Sequence, residues 1–337
     1  RQGDGFFYYR SAPSAGALYP NEMYFAAFDT EMFPAGIYHC GVHNRFLTRL
    51  RDGNFAKDLL AAVPGLSADS AGVFIVSGIF FKSAWKYRKR AYRYVLLDGG
   101  HLAENLRLAI SAAGYTCGLY HSFDDRHLDA LLGVDENREG SICCVSLSGG
   151  SIPKTVSRSE IDRLPESIMS ASRVSSAEIV YPEIIDIHEA SKTVKASDSA
   201  ENAMIDSLGI CPSDGYVSIP DSSIDPAVLN YSETIFKRRS KRNFVKKPSA
   251  RNHLIYLLTL LCRASDSMIG IHPDMASSAS IGFLAGNVEG FDPGFYLLDP
   301  VSRKTGINVD RNQFVPNRGA TTQLLKNMQE GVGFLAA

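Results

Sequence analysis

A short pattern occurs twice in this chain and limits its fold more than any other feature. Phe25, Ala27, Glu31, Phe33, Gly36 and Tyr38 recur, at a constant offset of 258, as Phe283, Ala285, Glu289, Phe291, Gly294 and Tyr296. Ordinary composition would give about one such coincidence over a span of that length. Both copies read as a strand, a turn carrying proline and glycine, and a second strand: Phe33-Pro-Ala-Gly-Ile-Tyr38 against Phe291-Asp-Pro-Gly-Phe-Tyr296. One residue out of phase, Gly72-Val73 recurs as Gly331-Val332. Two related units are therefore expected, and 337 residues suffice for two ordinary cores.

The boundaries that follow are 1–150 for copy 1, 151–229 for a connector and 230–337 for copy 2. The connector is rich in serine and aspartate, has a short apolar stretch at Ile179–Ile187, and is expected to lie across both units. Neither copy reads as complete. Copy 1 lacks an N-terminal part, and copy 2 stops level with residue 78 or 79 of copy 1. A chain that opens on Arg1 rather than methionine is expected to be missing a segment before it.

Within copy 1, Asn21–Phe28 reads as a strand. Tyr94–Gly114 carries Leu97, Leu102, Leu106, Ala109, Ile110 and Ala113 at helical spacing and ends on a glycine. Phe123–Gly133 reads as a short amphipathic helix after a Ser/Asp cap, and Ser141–Gly149 as a closing strand. Helices among hairpin-like strands predict an α+β fold with a mostly antiparallel sheet.

The most distinctive local segment is Arg10-Ser-Ala-Pro-Ser-Ala-Gly-Ala-Leu-Tyr-Pro20. Pro13 and Pro20 fix φ at both ends and forbid a long helix. Ser14 is a good N-cap, and Ala15, Gly16 and Ala17 can form one helical turn behind it. The unpaired N–H groups of such a turn point outward, and Gly16 has no Cβ to hold a ligand away. A flat aromatic group with carbonyl and ring-nitrogen acceptors suits it. By spacing alone the run equally suits a proline-bounded loop leading into a strand.

Bulk properties exclude several classes. A net charge of −1 and a pI near 6.8 give no global attraction to nucleic acid or anionic membrane. The longest apolar run, Gly72–Phe81, is about half of a membrane span. The six cysteines show no CxxC spacing and the eight histidines no HExxH, so no metal site is expected and the thiols are expected free in a reducing cytoplasm. The run Trp85–Tyr94 interleaves lysine and arginine with tyrosine, which can track phosphates and stack bases. Its positive charge is local, and a nucleic-acid module would leave the repeat unexplained.

Pro13-Ser-Ala-Gly-Ala-Leu-Tyr-Pro20 resembles the flavin-contacting segment of the nitroreductase superfamily, in its SagB-type dehydrogenase branch. Phe33–Tyr38, Lys86-Tyr87, and Tyr92-Arg-Tyr-Val-Leu-Leu-Asp-Gly-Gly-His101 running into Leu102-Ala-Glu-Asn-Leu106 agree with that branch. The resemblance covers about residues 8–150 well and 231–337 more thinly. It implies an FMN-dependent nitroreductase-like α+β fold in two related units. It also implies a flavin oxidoreductase in which Pro13, Ser14, Ala15, Gly16, Leu18 and Tyr19 contact FMN.

The same resemblance gives meaning to Arg238-Arg-Ser-Lys-Arg242. Two guanidinium forks and a hydroxyl suit a phosphate dianion, although cations at a helix C-terminus are favourable in any case. In nitroreductase-like proteins an Arg-x-Ser-x-Arg/Lys element holds the FMN phosphate, which implies that role for Arg238, Ser240 and Arg242. Family members are usually homodimers, with the phosphate clamp from one subunit and the PSAGALYP-type loop from the other. Here the two signatures fall in different copies, so an internal pseudo-dimer is expected to assemble one flavin site. Copy 2 has no Gly-Ala-Leu-Tyr around Ile269–Ser280, which puts the symmetry-related site in doubt.

Lys86-Tyr87 matches the Lys-Tyr pair over the flavin in azoline-oxidising members. Crowding by Arg88, Lys89 and Arg90 favours a neutral amine at Lys86, able to act as a base, with Tyr87 as a proton or hydrogen-bond donor. A solvated basic helix end is the structural alternative. His101, Glu104 and Asn105 are expected to serve helix-start packing and capping. Gly114 and Gly118 bracket a segment where family members bring backbone against the flavin, although a glycine after a helix is also an ordinary stop signal. The partners implied are a small-molecule or peptide substrate, and NAD(P)H if the enzyme is instead a nitro, quinone or flavin reductase. A flavin-binding scaffold without turnover is the remaining alternative.

Overall fold

The computed structural model describes residues 10–28, 33–150, 161–162, 164–192, 217–218, 230–241, 247–271, 281–299, 304–305 and 333–336. They fall into two compact units. The first comprises 1–194 with 230–239, the second 195–229 with 240–337.

The first unit is built on a six-stranded sheet. In chain order its elements are β1 (Asn21–Ala27), β2 (Gly36–Gly41), β3 (Phe46–Asp52), α1 (Ala56–Ala62), β4 (Ser70–Ile79), α2 (Phe81–Tyr87), α3 (Ala91–Ala112), β5 (Leu119–Tyr120), α4 (Asp125–Leu132), β6 (Glu139–Ser148), α5 (Glu166–Met169) and α6 (Pro182–Ser191). The spatial order is β3-β2-β1-β4-β6-β5, with every neighbouring pair antiparallel.

Alternation along β4 sorts the two cores. Val73 and Ile75 face α1 and α4, where Leu59, Val63, Leu128 and Leu131 complete a dry cluster. Phe74 and Val76 face α3 with Ala103 and Ile110. Cys143 and Cys144 on β6 divide between these faces, as adjacent strand residues must. Burial pushes the Cys143 thiol up to about 12. Cys40, Cys117, Cys143 and Cys144 are free thiols, and Cys211 lies outside the described residues.

The long helix starts earlier than its apolar spacing predicts, at Ala91, and its inner face differs from expectation. Leu97 is 56% exposed, whereas Val95, Asp98 and Gly99 are buried. Close approach to the sheet explains the choice. A Cβ on Gly78 would lie 2.3 Å from Val95 Cγ1, and one on Gly99 would lie 3.2 Å from Asn21 Nδ2. The helix of 123–133 is observed as α4, capped by Asp124 accepting from His127 N at 3.1 Å and stopped by Gly133 at φ 68°.

The expected connector is in part a wall of this unit. Leu164 packs where a Cβ on Gly133 would meet it, and Ser172 donates to buried Glu139 at 2.5 Å. On α6, His188 is buried against Phe80 and Tyr92. Lys192 reaches Glu189 at 2.8 Å, Glu136 at 3.3 Å and Asp129 at 3.7 Å. Helix Tyr231–Lys237, placed in copy 2 by the sequence, also groups with the first unit and packs on α3.

In the second unit β7 (Val217–Ser218), β8 (Ile281–Ala285), β9 (Gly294–Asp299), β10 (Lys304–Thr305) and β11 (Gly333–Ala336) form a sheet in the order β11-β8-β9-β10-β7. Helix Arg251–Ile271 supplies Leu254, Ile255 and Leu258 to a core with Phe283 and Phe291. The repeated residues hold equivalent places. Phe25 pairs with Tyr38 and Ala27 with Gly36, while Phe283 pairs with Tyr296 and Ala285 with Gly294. The Tyr38 hydroxyl donates to Pro34 O at 2.9 Å, and that of Tyr296 to Asp292 O at 2.8 Å. The third strand is shifted by one more residue than the Gly-Val match suggests, because Phe74 faces Phe25 while Phe334 faces Phe283. Gly331 and Val332 themselves lie outside the described residues.

Among the described residues no helix is long and apolar enough to cross a membrane, and no group of three His, Cys, Asp or Glu is placed to hold a metal ion.

Candidate functional site

The loop 10–20 of the first unit takes a shape the sequence does not announce. Ala15–Ala17 do form one short turn, but it is not the right-handed turn expected behind a Ser14 cap. Gly16 has φ 66° and ψ 12°, and two non-glycine residues, Ala17 (φ 56°) and Tyr19 (φ 48°), share the left-handed region. The Ser14 side chain caps no helical N–H. Its Oγ donates to Asp98 Oδ2 at 2.5 Å and accepts from Tyr19 N at 2.9 Å. Ala15 N donates to Asp98 Oδ1 at 3.1 Å, and Ala17 N to Ser14 O at 3.0 Å.

The loop's ends are pinned too. Arg10 Nη1 donates to Asn21 O at 3.0 Å, with its guanidinium 5.3 Å from the Tyr19 ring centroid, and Ile79 N donates to Pro20 O at 2.9 Å. With these bonds made, the N–H groups of Gly16 and Leu18 have no partner among the described residues, and Gly16 is exposed. They are the donors this loop can offer a ligand.

Lys86 and Tyr87 come to the same place. They end α2, and a Cβ on Gly16 would lie 2.7 Å from Lys86 Nζ and 2.8 Å from Tyr87 Oη. Only a glycine leaves room for both at that turn. The Tyr87 ring lies 4.3 Å from that of Tyr94 on α3, and Lys86 Nζ is 5.5 Å from the Tyr87 centroid. Lys86, Arg88, Lys89 and Arg90 are exposed. Lys89 is 3.3 Å from Glu183 of α6, which takes up part of the run's charge. A lysine side chain, a phenol and two amide donors in one loop region can bind a planar acceptor and exchange a proton with a molecule above it.

Arg238, just past helix Tyr231–Lys237, reaches the opposite side of the loop, where its Nε donates to Ser11 O at 2.8 Å. Asn105 Nδ2 approaches Ser11 Oγ at 3.4 Å. The loop, the Lys-Tyr pair and Arg238 are thus brought together within one unit. Ser240 is exposed and groups with the second unit, and Arg242 lies outside the described residues. The copy 2 counterpart of the loop, around 269–280, is undescribed from 272 on.

Gly114 and Gly118 do not join this cluster. They follow the C-terminal end of α3, about 20 Å along its axis from Asp98 at 1.5 Å per residue. Gly114 has φ 86° where the helix stops, and Gly118 exchanges hydrogen bonds with Ser146 at the edge of the sheet.

The residue sequence reasoning missed is Asp98. It is 6% exposed, and burial raises its pKa, an effect that Ser14, Ala15 N–H and His101 only partly offset. A signal existed. Tyr94, Asp98, His101 and Asn105 recur at spacings of four, three and four, which sets polar groups in one stripe along the helix.

Residues 8–150 match the model of the nitroreductase family and so form a domain of that family. "Putative nitroreductase MJ1384" of Methanocaldococcus jannaschii is 28% identical over 130 residues, 38% of this chain and 66% of that protein. The microcin B17-processing protein McbC of Escherichia coli is 27% identical over 135 residues, 38% of this chain and 49% of that protein. The crystal structure of a "putative nitroreductase" from Anabaena variabilis superposes with a TM-score of 0.63 at 23% identity, covering 88% of this chain and 61% of that one. The chain therefore spans between about half and two thirds of these relatives, and it shares the nitroreductase-like α+β fold.

Proposed function

We propose that this protein is an FMN-dependent oxidoreductase of the nitroreductase type, and within it a SagB-like dehydrogenase. One observation carries the reading: Lys86 and Tyr87 close on Gly16, in a loop whose Gly16 and Leu18 N–H groups have no partner among the described residues. Similarity to McbC supports the finer branch. The matching Phe–Tyr registers of the two hairpins support two related units in tandem.

The residues present fit the cofactor. Gly16 and Leu18 N–H can donate to acceptors on one edge of a flat ring, with Pro13, Ala15 and Tyr19 shaping that edge. Arg238, already turned towards the loop at Ser11, can take a phosphate oxygen by a charge-assisted bond, with Ser240 and Arg242 as the expected partners. When bound, FMN supplies a two-electron carrier able to take or give a hydride. Removing a hydride from carbon also requires somewhere for a proton to go. Lys86 Nζ, beside Gly16, would accept it, and Tyr87 Oη, next to it, would orient the substrate or return a proton.

The test is reconstitution. Protein loaded with FMN and desalted should remain yellow, and the flavin should be reduced by an azoline-containing peptide but not by NAD(P)H. Reduction by NAD(P)H would replace the dehydrogenase with a reductase. Bound flavin that neither reduces would leave a scaffold.

A further inference from the structure

Left-handed backbone at a non-glycine residue persists only where the surroundings impose it, and here Ala17 and Tyr19 both adopt it beside Gly16. The bonds that impose it form a short relay. Asp98 accepts from Ala15 N–H and from the Ser14 hydroxyl, and the same hydroxyl accepts from Tyr19 N–H. The left-handed residues thus lie between two amide anchors that both lead to one carboxylate. Pro20 restricts Tyr19 before it, but neither proline fixes the φ of Ala17 or Tyr19.

Burying a carboxylate is unfavourable unless donors compensate it, and Asp98 has two, the Ser14 hydroxyl and Ala15 N–H. The charged residue is therefore explained by what it holds. Its neighbours on the α3 stripe serve the same place: Tyr94 packs against Tyr87, and Asn105 approaches Ser11. One rigid helix face supports both the loop and the Lys-Tyr pair.

We propose that Asp98 is a positioning residue that locks the loop 10–20 in its left-handed shape before any ligand arrives, and that this lock sets the loop's affinity for the cofactor. The second half rests on the flavin reading; the first does not.

The experiment uses the full chain freed of flavin. Amide hydrogen exchange across residues 14–19 is followed in wild type, Asp98→Ala, Asp98→Asn and Ser14→Ala, and FMN affinity is read separately by flavin fluorescence. Exchange in Asp98→Ala and Ser14→Ala should accelerate by about tenfold or more, because each loses a charge-assisted bond that holds the loop closed. FMN affinity should fall by at least as much. Asp98→Asn can still accept from Ala15 N–H and donate to Ser14 Oγ, so it should stay within about threefold of wild type on both readouts.

Should Asp98→Ala fail to fold, Ser14→Ala, a half-buried loop residue, decides the matter. Unchanged exchange in Ser14→Ala, or Asp98→Asn as loose as Asp98→Ala, would overturn the lock. A loosened loop with undiminished FMN affinity would overturn the link to the cofactor alone. A wild type that binds no FMN would defeat the functional reading and leave exchange to judge the lock.

Discussion

Replacing Gly16 with alanine tests the close approach on which the site depends. The new methyl would stand 2.7 Å from Lys86 Nζ and 2.8 Å from Tyr87 Oη, at a residue with φ 66°. Two costs follow, and they can be separated. An L-residue in the left-handed region costs about 1–2 kcal/mol. Lys86 is exposed and can swing aside at little cost, but the Tyr87 ring is held against Tyr94 at 4.3 Å. Moving it off its rotamer adds about 0.5–1.5 kcal/mol. The combined loss of about 1.5–3.5 kcal/mol should lower the thermal midpoint of the flavin-free protein by roughly 3–14 °C, at about 2–4 °C per kcal/mol for a unit of this size. Gly16→Ala combined with Tyr87→Phe removes the hydroxyl that the methyl meets. It should recover the rotamer part and leave the backbone part, giving a coupling of about 1 kcal/mol in a double-mutant cycle. A single variant with an unchanged midpoint, or a cycle that closes to zero, would refute the proximity of Gly16 to Tyr87.

Two further predictions address chemistry and pH. Lys86→Ala should reduce substrate oxidation by about 10²–10⁴-fold with flavin retained, and Tyr87→Phe should reduce it less; equal turnover in Lys86→Ala and wild type would assign the basic run to structure. Burial, with the nearby Lys192 charge, lowers the His188 pKa from 6.5 to about 4. Between those values the unfolded chain binds the extra proton, so stability present above pH 6.5 is lost as pH falls towards 4, by up to about 3 kcal/mol. Buried Asp129, raised to about 7, has the opposite slope, with stability lost as pH rises through that value. The His188 contribution is therefore read by comparison: on going from about pH 7.5 to 5, urea melts should show His188→Gln losing less stability, or gaining more, than wild type, and the same change in both would contradict it.

The hairpins were legible because their defining contacts are made by the repeated residues themselves: Phe25 opposite Tyr38, Phe283 opposite Tyr296. The assembly of Gly16 with Lys86 and Tyr87 followed from family resemblance, since no local spacing links residues seventy apart. The shape of the loop was not legible. Ser14 followed by three small residues reads as a right-handed turn, and a carboxylate eighty-four residues away turns it left-handed. Along α3, Leu102, Leu106 and Ile110 pack on the sheet as their spacing predicts, whereas the tight approach at Gly78 and Asn21 selects Gly99 and leaves Leu97 outside. Residues 164–192 were read as linker from their polar composition, yet Ser172, His188 and Lys192 are buried because Glu139, Tyr92 and Asp129 receive them.

The central claim is that the loop 10–20, Lys86-Tyr87 and Arg238 form an FMN site. Its most direct test is a fluorescence titration of the flavin-free protein with FMN, in wild type and in the Arg238→Ala, Arg242→Ala double variant. Saturable binding is predicted in wild type. The double variant should bind roughly a hundredfold or more weakly, because two charge-assisted contacts of about 1.5–3 kcal/mol each are lost. Equal affinity in both proteins would remove Arg238 and Arg242 from the site, and a wild type that neither quenches nor is stabilised by FMN would contradict the account as a whole.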